Sequence, residues 1–172
     1  MLHVKKKRDG GILVSLPLED AAMLRSLPGR LRRLLETPDS KDKVLQRLFP
    51  PAYLDAKKQA EYEALVGGAL RGRKLECVKA FEATLGRWKV EGQRVDVSIS
   101  GEEFELWLGF VNDMRLMIGT ELDIEDDDWN LHPDPSHPRA PEFALLDYLT
   151  WLEESLLRAR DLGWHGSRAT PP

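Results

Sequence analysis

Three polar residues sit inside the most apolar stretch of the chain, Ser100–Ile124. They are Asn112, Asp113 and Arg115. An arginine in an apolar helix is costly unless a partner neutralises it. Asn112 and Arg115 are three residues apart, so their side chains share a helix face. Two kinds of chemistry are open to them. In the first, Arg115 belongs to a structural polar network and is held by a carboxylate on another helix, with Asp147 and Glu154 of the last helix as candidates. In the second, Asn112, Asp113 and Arg115 form the polar set of a small-molecule or enzyme site, with Trp151 and Glu154 as further binding residues. Structural ion-pair networks resemble functional ones by these criteria, so both readings stand.

The segment after this stretch invites a metal reading. Asp126, Asp128 and Asn130 fall at positions 1, 3 and 5 of a calcium-loop pattern, with Asp134 at position 9. The pattern breaks at the position that needs glycine, occupied by Leu131, and at the bidentate glutamate, replaced by His137. His132 and His137 lack the compact ligand set a zinc site requires. We therefore expect no metal and no cofactor, and read the loop as an acidic connection stiffened by Pro133, Pro135, Pro138 and Pro141. Cys77 is the single cysteine. Its neighbours Leu75, Val78 and Phe81 suit a small buried hydrophobe. Two basic clusters, Lys5–Arg8 and Arg30–Arg33, could contact phosphate. The first has no interleaved aromatic residue on which bases could stack. There is no nucleophile motif and no phosphate loop.

The elements that position these residues are mostly helical. Ser100 is an N-cap with Glu103 three residues on, the signature of a capping box. Phe104, Trp107, Phe110, Val111, Met114, Met117 and Ile118 keep i, i+3, i+4 spacing, and Leu106, Leu108 and Leu116 add apolar surface on other sides. A helix apolar on all sides is buried, so 101–119 is expected to be the central helix, about 28 Å long. His3–Lys7 and Ile12–Leu16 flank Asp9-Gly10 and read as a hairpin. Arg94–Ile99 alternates with period two and supplies a third strand. From Pro17 the spacing becomes helical through Leu35, as one helix kinked at Pro28 or as two short ones. Val44–Phe49 forms a helical turn. Tyr53–Val66, with Tyr62, Leu65 and Val66 inward, and Leu70–Leu85 read as two helices jointed at Gly67-Gly68. The last helix begins near Pro141; its apolar stripe runs Leu145, Tyr148, Leu149, Leu152, Leu156 and Ala159, and Gly163 stops it. The fold class is a mostly α, compact helical domain with a small three-stranded antiparallel sheet, spanning 1–163, followed by a loose tail, 164–172.

Composition bounds the role. With 172 residues, 42% hydrophobic and 31% charged, the chain suits one soluble domain. The net charge of −4 argues against a dedicated nucleic-acid binder. A lone cysteine fits a reducing cytoplasm. No apolar run reaches the roughly 20 residues a membrane span needs. The apolar stretch after the basic N-terminus is too short and interrupted for a signal peptide.

Trp107-Leu108, Val111-Asn112-Asp113-Met114-Arg115-Leu116 and Gly119-Thr120 resemble the signature of the bacterial family called domain of unknown function 2017. Tyr148–Leu156, near the C-terminus, extends the resemblance over almost the whole chain. Val111 stands where that signature commonly has leucine. The resemblance implies a compact helical fold with no established activity, in a family often encoded beside an adaptor of the Clp protease.

The resulting expectation is a non-enzymatic binding or regulatory protein, an accessory of Clp-type proteolysis by that resemblance, with a Clp adaptor or a second copy of itself as partner. Five tryptophans, with Trp129, Trp151 and Trp164 in or beside the C-terminal third, favour protein contacts. The alternatives are a small-molecule binder or enzyme built around Asn112, Asp113 and Arg115, and a nucleic-acid-binding regulator that uses the N-terminal basic clusters.

Overall fold

The structure, a computed structural model, describes residues 2–39, 41–124 and 134–161. The calcium-like residues 126–130, His132, Trp129, Gly163, Trp164 and the tail lie outside the described residues.

Strands β1 (His3–Lys6) and β2 (Ile12–Pro17) form the expected hairpin. Gly10 takes φ 84°, and the Lys7 amide donates to the Gly11 carbonyl at 2.8 Å. That backbone region favours glycine, which has no Cβ to clash. A second hairpin joins β3 (Lys89–Glu91) to β4 (Arg94–Ile99) through Gly92, at φ 62°. The sheet is antiparallel in the order β1-β2-β4-β3. It therefore has four strands, where the sequence pattern predicted three. The extra strand is three residues long and exposed at every position, so it carries no alternation by which a pattern could find it. Register pairs Ile12 with Ile99, Val14 with Val97 and Leu16 with Val95. All six are buried on one face. The opposite face is polar, and there Arg94 donates to the Ser15 hydroxyl at 2.8 Å.

Pro28 separates two short helices, α1 (Leu18–Ser26) and α2 (Pro28–Glu36). Proline fits the first turn of α2, where its missing N–H removes no bond. Helix α3 (Lys43–Leu48) is capped by Asp42, which accepts from the Val44 amide at 2.7 Å. Helix α4 (Ala56–Leu85) is continuous over 30 residues. This corrects the expectation of a joint at Gly67-Gly68. Each glycine weakens a helix by only about 1 kcal/mol, and good helix formers flank the pair. Helix α5 (Gly101–Glu121) starts with the full capping box: the Glu103 amide donates to the Ser100 hydroxyl, and the Glu103 carboxylate accepts from the Ser100 amide. Helix α6 is Ala140–Asp161.

One core cluster draws on every helix and on the inner face of the sheet. Helix α5 is at its centre, with Trp107, Phe110, Val111, Met114 and Ile118 all buried. Phe81 of α4 stacks on Phe110 with ring centroids 4.2 Å apart and tilts against Trp107 at 4.6 Å. Helix α6 buries Leu146, Leu149, Leu152, Leu156 and Ala159. No helix among the described residues is long and apolar enough to cross a membrane.

Candidate functional site

Helix α5 turns by 100° per residue, and this rotation sends the three polar candidates in different directions. Asn112 is exposed, on the side of α5 away from the core. Asp113 is buried and faces α4, where its carboxylate accepts from the Lys74 ammonium at 2.6 Å. Arg115 faces α6. Its Nε donates to the Thr150 hydroxyl at 3.1 Å, and its guanidinium pairs with Glu153. The sequence-based partners of Arg115, Asp147 and Glu154, give way to Glu153. Asp147 and Glu154 are exposed; both fall on the side of α6 away from the buried Leu149, Leu152 and Leu156. Glu153 comes four residues after Leu149, which keeps it at the edge of the buried stripe. Trp151 is partly exposed and meets Tyr148 edge-on at 6.1 Å. Glu154 makes an i, i+4 pair with Arg158 at 3.6 Å. The five sequence candidates thus lie on different sides of α5 and α6 and do not come together at one site.

The Asp113–Lys74 pair has a defined electrostatic character. Burial raises the Asp113 carboxyl above its ordinary value, and Lys74 opposes this by its hydrogen bond and its charge. The ammonium also lies over the Phe49 ring, 5.6 Å from its centre, where the ring quadrupole favours a cation. Cys77 lies one turn along α4. Burial, and then the charge of Asp113, push its thiol up, which leaves it a poor nucleophile. A Cβ on Gly109 would come within 2.7 Å of the Cys77 sulfur. Glycine there lets α4 and α5 approach closely. Sequence reasoning missed Lys74. Its signal is spacing: it precedes Val78 by four residues and Phe81 by seven, on the apolar face of its helix.

Among the described residues, two buried polar atoms, the Trp107 indole nitrogen and the Tyr148 hydroxyl, have no hydrogen-bond partner. Burial pushes the Tyr148 hydroxyl well above the usual tyrosine range. The Asp20 carboxylate adds to this by its charge, but no bond of acceptable geometry joins the two.

The basic clusters are engaged in part: among the described residues Lys5, Lys6, Arg8 and Arg33 make no salt bridge. Arg30 pairs with Glu121 at 2.7 Å, and Arg32 with Glu82 and Glu36. An open cleft of about 330 Å³ is lined by Lys7, Asp9, Arg87, Ser98, Ser100 and Glu103. Within it Lys7 pairs with Asp9 at 3.1 Å and Arg87 with Glu103 at 2.6 Å. Among the described residues no group of three or more histidine, cysteine, aspartate or glutamate side chains could hold a metal ion.

Among the described residues, another surface without a packing partner lies on the first half of α4. No residue from Ala56 to Arg73 is buried, and only Gln59, Tyr62, Val66 and Gly67 are half-covered. The buried residues of α4 are Cys77, Val78, Phe81 and Thr84, all in its second half. Leu65 is 84% exposed, and Leu54, just before the helix, is fully so. Tyr53 and Leu70 are exposed as well. Leu65 therefore points outward, against the inward placement that helical spacing suggests. The free half is locally ordered nonetheless. Asp55 caps it by accepting from the Lys58 amide at 2.9 Å. Gln59 accepts from the Ala52 and Tyr53 amides at 2.9 and 3.0 Å. Tyr53 packs edge-on against Tyr62 at 5.8 Å.

The fold and its surfaces define a class: a mostly helical domain closed by a small antiparallel sheet, with a long helix extending past its core. The chain belongs to the family described as a domain of unknown function, DUF2017, whose profile matches residues 1–160. No curated protein and no solved structure matches the chain.

Proposed function

We propose that this protein is a non-enzymatic binding protein whose contact element is the free half of α4, together with the Tyr53-Leu54 turn that precedes it. The observation that carries the reading is the exposure of Leu65 and Leu70 on a helix whose other half is anchored in the core, and of Tyr53 and Leu54 just before it. Exposed apolar surface on an ordered element can mark an interaction site, although Leu65 and Leu70, five residues apart, lie on different sides of α4. An exposed helix offers such groups at i, i+3 and i+4 for a partner to read. The alternative of a small-molecule or enzyme site at Asn112, Asp113 and Arg115 gains no support from their divergence. The nucleic-acid alternative gains none from Arg30 and Arg32, which already have carboxylate partners.

The genomic neighbourhood implied by the family resemblance makes a Clp adaptor the first partner to test, in the cytoplasmic, proteolysis-accessory role. Calorimetric titration of the purified full-length chain with the adaptor should show binding. Leu65→Glu and Leu54→Ser should weaken it at least about tenfold, the effect of losing an interface anchor, with the circular dichroism unchanged. Binding that ignores both variants but is lost in Trp151→Ala or Asn112→Ala would move the contact to the α5–α6 face. No binding to the adaptor would remove the proteolysis-accessory role.

A further inference from the structure

We propose that this protein forms a homodimer in which the outer faces of two α4 helices pack antiparallel, centred near Gly67. The inference rests on the reading of α4 as a contact element, and names its occupant as a second copy of this chain.

The outward face of α4 carries Lys58, Glu61, Leu65, Gly68, Ala69, Gly72 and Glu76, all exposed. These recur at three- and four-residue intervals and therefore form one strip along the helix. The strip is apolar in the middle and charged at both ends, the layout of an interface with an apolar centre and a polar rim. Its charges are self-complementary in one orientation only. An antiparallel pair centred on Gly67 sets Lys58 across from Glu76 of the second copy, Glu61 across from Arg73, and Asp55 across from Lys79. Two-fold symmetry makes each of these pairs twice. A parallel pair would set Lys58 against Lys58 and Glu61 against Glu61, which opposes association. Among the described residues Lys58, Glu61 and Lys79 have no salt-bridge partner within the chain, and Arg73 and Glu76 meet only each other, at 3.8 Å.

The centre of the strip fits the same register. Leu65 lies across from Ala69, beside Gly68 and Gly72 of the second copy. Among the described residues a Cβ on Gly67, Gly68 or Gly72 would meet nothing within 4 Å, so none of them calls for glycine at these positions, although each weakens the helix. A large side chain at 65 and near-absent ones at 68, 69 and 72 allow axes to approach to about 8 Å, the close end of helix packing. The strip stays open past the free half, because Glu76, Lys79 and Ala83 are exposed too, so the second copy's helix can run its length without meeting the core. A contact of this length sits at the small end of specific interfaces, and the dimer should be reversible, roughly in the micromolar range.

The test is sedimentation of the full-length chain over a concentration series, with circular dichroism on every variant. The wild type should shift from monomer to dimer. Leu65→Glu should weaken the dimer about a hundredfold, the scale of a central anchor replaced by a charge. Lys58→Glu should weaken it by roughly tenfold, since two symmetric rim pairs are lost at a few-fold each, and Lys58→Glu combined with Glu76→Lys should restore it. That restoration separates pairing across the interface from general surface charge. A wild-type chain monomeric at millimolar concentration overturns the proposal, as does a dimer that tolerates Leu65→Glu, or a charge swap that fails to rescue. If the chain is monomeric yet loses its adaptor on Leu65→Glu, the occupant is wrong while the contact element stands. If neither a second copy nor the adaptor responds to Leu65→Glu, both readings fall.

Discussion

The two halves of α4 share one backbone geometry and one continuous set of helical hydrogen bonds, but different terms stabilise them. From Lys74 to Leu85 the helix is fixed from outside. Phe81 lies between Phe110, Trp107 and Trp88, Cys77 fills the space left by Gly109, and Lys74 closes on Asp113. From Ala56 to Arg73 it is fixed by local terms: the Asp55 cap, Gln59 bonded to the preceding turn, and propagation from the anchored half. Propagation adds a hydrogen bond for each residue ordered, with no new nucleation cost. The anchored half supplies what the free half lacks, and the free half is therefore available for contacts outside the chain. The comparison predicts that comparable substitutions cost far more at the anchored half than at the free one.

The largest contrast is between apolar truncations. Phe81→Ala removes a fully buried ring from an aromatic cluster, and should cost about 3–5 kcal/mol of unfolding free energy. Leu65→Ala removes a side chain that is 84% exposed and should change monomer stability by about 0.5 kcal/mol or less. Urea denaturation at low protein concentration, where the monomer prevails, measures both. A Leu65→Ala loss close to that of Phe81→Ala would mean that the free half has a tertiary partner in the monomer and would break the contrast.

The second contrast concerns charge. Lys58 and Lys74 both belong to α4, but Lys74 compensates a buried carboxylate. Lys74→Met leaves Asp113 unpaired and should cost about 2–3 kcal/mol at pH 7, somewhat below the value for a fully buried pair, because Lys74 keeps 21% exposure. The pH dependence has a definite sign. Burial holds the folded-state pKa of Asp113 above its ordinary value. The neutral acid is therefore favoured in the fold, and the stability it contributes is complete below the unfolded pKa and lost as pH rises through the folded one. Without Lys74 the folded pKa climbs further. The deficit of Lys74→Met should then be greatest near neutrality and shrink as pH falls toward about 4. Adding Asp113→Asn should recover most of it at pH 7. Lys58→Met should show neither effect. A Lys74→Met deficit independent of pH would assign the loss to packing against Phe49 instead.

The same division explains what could be read from the sequence. Helix α5 was legible because its determinants are local and repeated: the Ser100–Glu103 capping box and an apolar residue on every turn from Phe104 to Ile118. Its burial is encoded in its own pattern. The joint expected at Gly67-Gly68 came from local propensity, and α4 runs through it because each glycine costs less than anchoring and propagation supply. Leu65 misleads because helical spacing reports a stripe without reporting whether anything packs against it. Strand β3 was invisible, since three exposed residues carry no period. The polar network on α5 was half legible. Arg115 did require a carboxylate on α6, but the choice between Glu153 and Glu154 turns on one residue of helix rotation, which only the packing of Leu149 and Leu152 decides. For Asp113 the partner came from α4, on an apolar face where Lys74 reads as surface charge.

Glycine gives the smallest effect and the most direct test of the contrast, because one methyl group is added on each side. At Gly109 the new Cβ would stand 2.7 Å from the Cys77 sulfur, closer than non-bonded atoms can come. Both helices are fixed there by the aromatic cluster, so Gly109→Ala should destabilise by about 1–3 kcal/mol, as overpacking does. At Gly68 the new Cβ meets nothing within 4 Å. Gly68→Ala should therefore stabilise the monomer by about 0.5–1 kcal/mol, because alanine gives up less backbone entropy on folding. If α4 pairs with a second copy near Gly67, the methyl group would also hold the two axes apart. The same variant would then melt higher as a dilute monomer and dimerise more weakly, by a few-fold in sedimentation. A rise in both would leave the glycines without a role in close approach, and a fall in monomer stability would show that the free half is packed against something in the folded chain.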